Sequence, residues 1–139
     1  MPQSVAEILE ELDAIQRAAG RGVLEEASLV RARSLIGHPD NDVRWQALIA
    51  VGEWLRTSPD DVWAVALEHG QSDDEDMRAG VATVLLEHLL EYHFATYFPL
   101  VRERIEAGAR RLADTLRMCS PFGEAEKRWD EVRHLLDED

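Results

Sequence analysis

The sequence predicts an all-α fold, a short α-solenoid of about three helix pairs with a C-terminal capping helix. Two observations predict it. Apolar residues recur at helical spacing along the whole chain, without strand-like alternation and without an Asn-Gly or Asp-Gly hairpin signal. One phrase is also written twice. GHPDNDVRWQA at 37–47 and GQSDDEDMRAGV at 70–81 each run from a glycine through acids to an apolar residue and an arginine. Arg44 and Arg78 stand 34 residues apart, and the Ile36-Gly37 and His69-Gly70 steps before them stand 33 apart. A period in the thirties that covers two helices marks stacked pairs, each burying its apolar face on its neighbours.

The elements follow in order. Ser4 and Glu7 form a capping-box pattern, and Val5, Ile8, Leu9, Leu12 and Ile15 continue it as a first helix ended by Gly20 and Gly22. A second helix is expected over about residues 23–36, stopped by Gly37 and His38-Pro39. Asn41 is expected to cap a third, reaching about residue 56. Ser58-Pro59 opens a short fourth, with Asp60 and Asp61 in the first turn and Gly70 at its end. The fifth starts among Asp73, Asp74, Glu75 and Asp76 and runs to about Tyr92. A sixth is expected over about residues 96–118, placing Pro99 in its first turn. After Ser120-Pro121-Phe122-Gly123, a last helix covers about residues 124–136. No stretch reads as a linker, so the expectation is a single domain over 1–139.

On a helical wheel of about 100° per residue, Val43, Ala47, Ala50, Val51 and Trp54 share one apolar face. The matching positions of the second phrase are Met77, Val81, Val84, Leu85 and His88. Arg44 and Arg78 both fall inside that apolar arc. A cation held there needs a partner, and Asp40, Asp42, Asp74 and Asp76 are the expected suppliers.

The two phrases resemble those of HEAT and HEAT-like (armadillo-type) helical repeat proteins, whose first helix opens with acids, Val-Arg and alanine-rich positions. The match is Asp40-Asn41-Asp42-Val43-Arg44 with Ala47, and Asp74-Glu75-Asp76-Met77-Arg78 with Ala79 and Ala82. It covers about residues 24–92. The resemblance implies a fold rather than an activity, with Arg44 and Arg78 as structural residues. It would pair helices one with two, three with four and five with six.

The chain carries 15 Lys+Arg against 28 Asp+Glu, a formal net charge of −13. Residues 1–98 hold 7 basic and 18 acidic residues. Such a field repels nucleic acid and attracts basic protein surfaces. No long apolar run or charged-then-apolar leader is seen, so a soluble, cytoplasmic protein is expected. Cys119 is the only cysteine, which excludes an internal disulfide and a Cys-based zinc site. His88 and His93 are five apart and point to different faces, so no metal or other cofactor is expected. His88, in the place of Trp54, is expected to be packed and hydrogen-bonded.

Four acids at Asp73–Asp76 exceed what capping and the helix dipole favour. With Asp40 and Asp42 on the same rim, they would suit a basic protein surface. Trp45 lies about 200° round the wheel with Ile49 beside it, and an exposed Trp–Ile pair would anchor an interface. Trp63 is a similar candidate. Arg102, Arg104, Arg110, Arg111 and Arg117 interleave with Glu103, Glu106 and Asp114, predicting ion pairs such as Glu106–Arg110. That mixed face is complementary to the acidic rim of a second copy, which would give a homodimer.

No nucleophile with a base, phosphate loop or catalytic carboxylate pair stands out. The expected function is therefore a non-catalytic protein-binding module recognising a basic partner. One form of it is an immunity- or antitoxin-type inhibitor of a cationic toxin. The alternatives are a DNA-repair enzyme of the alkylpurine-glycosylase type, implied by HEAT-like folds with Trp54, Trp63 and Asp61 in its roles, and a regulatory subunit of a larger complex.

Overall fold

The computed structural model describes residues 2–137. Among them the secondary structure is all helical, with no strand, and the chain divides between Val62 and Trp63 into two compact units. In the first unit, α1 (Val5–Gly20) starts at the expected capping box. Ser4 Oγ accepts from the Glu7 N–H at 3.1 Å, and the Glu7 carboxylate accepts from the Ser4 N–H at 3.1 Å. α2 (Glu26–Ser34) is shorter than expected, because the chain turns through Gly22 and leaves Val23 exposed. α3 (Asn41–Gly52) packs on both α1 and α2 and forms the core of the unit. Its whole expected face, Val43, Ala47, Ala50, Val51 and Trp54, is buried. The helix stops at Gly52 rather than near residue 56, and a tight turn keeps Trp54 and Leu55 inside.

The repeated phrase has the same local structure both times. The cap of α3 is Asp40, not Asn41: its Oδ1 accepts from the Val43 N–H at 3.0 Å. The cap of α5 (Glu75–Gly80) is Asp74, whose Oδ1 accepts from Asp76 and Met77 at 2.9 and 3.4 Å. Two residues upstream, His38 Nδ1 accepts from the Asp40 N–H at 3.0 Å, and Ser72 Oγ accepts from the Asp74 N–H at 3.1 Å. The arginines then fold back over the loop. Arg44 donates to the His38 and Pro39 carbonyls at 3.4 and 3.3 Å and to Asn41 Oδ1 at 2.9 Å. Arg78, buried, donates to the Ser72 carbonyl at 2.8 Å. A carbonyl of the preceding loop thus takes the part expected of a carboxylate at Arg78. It accepts from one terminal nitrogen of the guanidinium and so ties the loop to the helix, while the buried Nε of Arg78 has no hydrogen-bond partner among the described residues.

The unit boundary falls within α4 (Pro59–His69), which leads to Gly70 and the second phrase. α5 continues through a π-helical stretch (Val81–Leu86) into α6 (Glu87–Glu106). There the Glu87 N–H bonds to the Ala82 carbonyl, five residues back, and the Thr83 hydroxyl takes the Ala79 carbonyl at 2.8 Å. The π stretch holds one extra residue and turns the helix relative to the sequence period. Leu85, Leu86, Leu89 and Leu90 are buried, so Leu89 rather than His88 comes in where Trp54 stands in the first phrase. His88 is 40% exposed and bonds Glu91 Oε1 at 2.8 Å: hydrogen-bonded as expected, but not packed.

The helix bends at His93 (φ −139°, ψ 42°) and resumes at Phe94, so Pro99 lies in its second turn and not its first. Pro99 and Ala95, whose carbonyl the proline cannot serve, are both exposed, and water can satisfy that carbonyl. The expected long sixth helix is in fact two. Gly108 adopts φ +106°, a conformation that side chains disfavour, and separates α6 from α7 (Arg110–Arg117). The last expected helix is likewise divided into α8 (Gly123–Lys127) and α9 (Trp129–Asp137). α7 packs on α5, the π stretch and α6, while α8 packs on α6. Phe94 and Phe98 stack at 4.7 Å, with the Arg128 and Arg102 guanidinium groups over them at 4.7 and 5.5 Å.

Two buried contacts tie α7 in place. The Thr115 hydroxyl donates to the Gly70 carbonyl at 2.5 Å, and the buried Glu87 carboxylate accepts from the Ser120 N–H at 2.6 Å. A Cβ on Gly70 would overlap the Ala66 carbonyl oxygen and touch Leu112 and Val81. Gly70→Ala is expected to lower stability by about 1–3 kcal/mol in urea unfolding. Asp74→Ala should cost about 1 kcal/mol and Asp74→Ser much less, because serine can still cap. Burial, with the nearby Glu87 charge, pushes the Cys119 thiol well above its ordinary range. The unfolded chain releases that proton at lower pH than the folded one, so stability falls as pH rises above the ordinary thiol pKa. In iodoacetamide labelling at pH 8, Cys119 should react only at the rate of unfolding.

Candidate protein-binding surface

The acids singled out in the sequence are on the surface. Asp73, Asp74, Glu75 and Asp76 at the head of α5 are all exposed, as is Asp42 in the first turn of α3, while Asp40 is half-buried as the cap. Their local duties differ. Asp74 caps the helix, and Asp73 faces Arg111 of α7 across 3.4 Å with its own side chain almost wholly in solvent. Asp42 and Glu75 have no hydrogen-bonding or ionic partner among the described residues. The second unit thus presents a four-carboxylate helix head of which capping uses one. Ion pairs between carboxylates this exposed and their own chain are weak.

The aromatic candidates are placed between core and solvent. Trp45 and Ile49 are half-buried on α3, and Trp63 is half-buried with its ring 5.9 Å from that of Tyr97. Trp54 is core. The sequence reading missed a feature of the first unit. An open cleft of about 590 Å³ has Leu24, Leu29, Val30 and Trp54 on its walls, with Glu26 and Asp61 among its polar lining. Val30 is 62% exposed there. Its signal in the sequence was slight, since an apolar residue next to the buried Leu29 reads as part of the same core face.

The ion pair expected between Glu106 and Arg110 is not formed. The Gly108 break takes the two residues off one helix, so the four-residue spacing no longer brings them together. Glu106 instead lines a cleft with Arg102, Glu131, His134 and Leu135. Among the described residues no group of three or more His, Cys, Asp or Glu is arranged to hold a metal ion, and no helix is long and apolar enough to cross a membrane. No protein-family model matches the chain, and no curated protein or solved structure is significantly similar to it.

Proposed function

We propose that this chain is a non-catalytic, HEAT-like module that binds a protein partner with a basic surface. The observation that carries the reading is the head of α5. Asp73, Asp74, Glu75 and Asp76 are exposed in succession, while the helix start needs one of them. Asp40 and Asp42 at the head of α3 repeat the feature in the first unit, and Trp45, Ile49 and Trp63 supply half-buried apolar area of the kind that anchors interfaces. A chain with a net charge of −13 captures a cationic partner quickly through long-range attraction. Inhibition of a cationic toxin, in the manner of an immunity protein, is the form of the reading that most directly uses this charge.

The test is capture of partners from the source lysate by the tagged native chain and by a D73N/E75Q/D76N variant, which keeps the Asp74 cap. The native chain is expected to retain one basic protein in near-equal amount, released by moderate salt. The variant, folded by circular dichroism, should associate with that protein about tenfold more slowly or worse. Equal retention by both chains, or retention of acidic proteins alone, would overturn the reading.

A further inference from the structure

The cation-rich face of α7 is organised differently from the rest of this acidic chain. Ile105, Arg110, Arg111, Ala113, Asp114 and Arg117 line a cleft of about 590 Å³, which sets three guanidinium groups against one carboxylate. Asp114 serves two of the three. It bonds Arg117 at 3.1 Å and lies 3.7 Å from Arg111, whose other carboxylate neighbour is the solvated Asp73 at 3.4 Å. Arg117 also donates to the Leu136 carbonyl at 3.2 Å. Arg110 has no hydrogen-bonding or ionic partner among the described residues.

That deficit does not come from composition, since carboxylates outnumber cations by 13 in the chain. It comes from the fold. Gly108 breaks the helix that would have set Glu106 beside Arg110, and Glu106 lines another cleft. Arg110 and Arg111 also stand in the first turn of α7 without an acid, where the helix dipole opposes their charge. Arg110, Asp114 and Arg117 lie one above another over about 10 Å of helix. Two guanidinium forks at that separation, with a third beside them, match a ligand carrying more than one oxyanion group.

We infer that the α7 cleft binds a small polyanion, with Arg110 and Arg117 as the two end contacts, Arg111 between them and Ile105 and Ala113 as its apolar wall. The ligand's anionic groups are phosphates or carboxylates, which the planar guanidinium fork accepts alike. This inference uses the opposite charge from the protein-binding reading, on a helix whose Arg111 adjoins the acidic head of α5 at Asp73.

Calorimetric titration of the full chain at low salt with pyrophosphate, and separately with citrate, tests it. Saturable one-to-one binding of at least one is expected. Pyrophosphate alone would assign a phosphate ligand, and citrate alone a carboxylate one. Arg110→Ala, at an exposed position, should weaken binding about tenfold. Asp114→Asn should tighten it several-fold, since it removes the anion that competes for Arg111 and Arg117. A mere loss of structure would not produce that gain. The inference is overturned if neither anion binds saturably, if Arg110→Ala binds like the native chain, or if the arginine face instead holds a second copy of the chain in a salt-sensitive dimer.

Discussion

Each unit is built around one helix, and the start of that helix is fixed by one interaction scheme. An aspartate caps the first turn, the residue two before it accepts from its N–H, and the arginine four after it reaches back to a loop carbonyl. The scheme joins three separate demands. It satisfies orphan N–H groups at the helix start, gives a partly or fully buried cation its partners, and sets the angle at which the loop enters the helix. α3 then meets α1 and α2 with its apolar face already in register, and α5 leads the long bent helix on which α7 and α8 pack. The core positions depend on that start, because a helix shifted by one residue turns its face by about 100°.

Such a shift occurs within the second unit, and it is part of the design of that unit. The π stretch adds a residue after Ala79 and Gly80, so the leucines at 85, 86, 89 and 90 form the buried side while His88 moves out to Glu91. The bend at His93 and the reversal at Gly108 redirect the chain twice more. Together they let α7 return to the π stretch, where Thr115 meets the Gly70 carbonyl and Glu87 holds the Ser120 amide. Thr115 and Glu87, buried at these junctions, are both hydrogen-bonded, as low dielectric surroundings favour.

Charge follows the same local logic. Acids gather where helices begin, at Asp40 and Asp42, at Asp60 and Asp61, and at Asp73–Asp76, since a helix N-terminus favours them. The head of α5 carries more acids than that preference uses. α7 reverses the rule with two arginines in its first turn. The chain thus carries a strongly acidic helix head and a small basic face that adjoin at the Asp73–Arg111 pair.

The sequence by itself determined the helical class, the capping box at Ser4, the buried face of α3 and the equivalence of the two phrases. These are local properties, set by side-chain spacing along one helix and by the few residues that can cap it. It also placed Arg44 and Arg78 near the core, though not the loop carbonyl that Arg78 meets, because an acidic sequence offers carboxylates at every turn and geometry alone selects among the acceptors. The exposure of His88, the division of residues 94–117 at Gly108 and the lack of a partner for Arg110 among the described residues were decided by tertiary structure. A wheel assumes one constant twist. One π turn or one glycine with positive φ ends that assumption, and which face then meets the core depends on what packs against it.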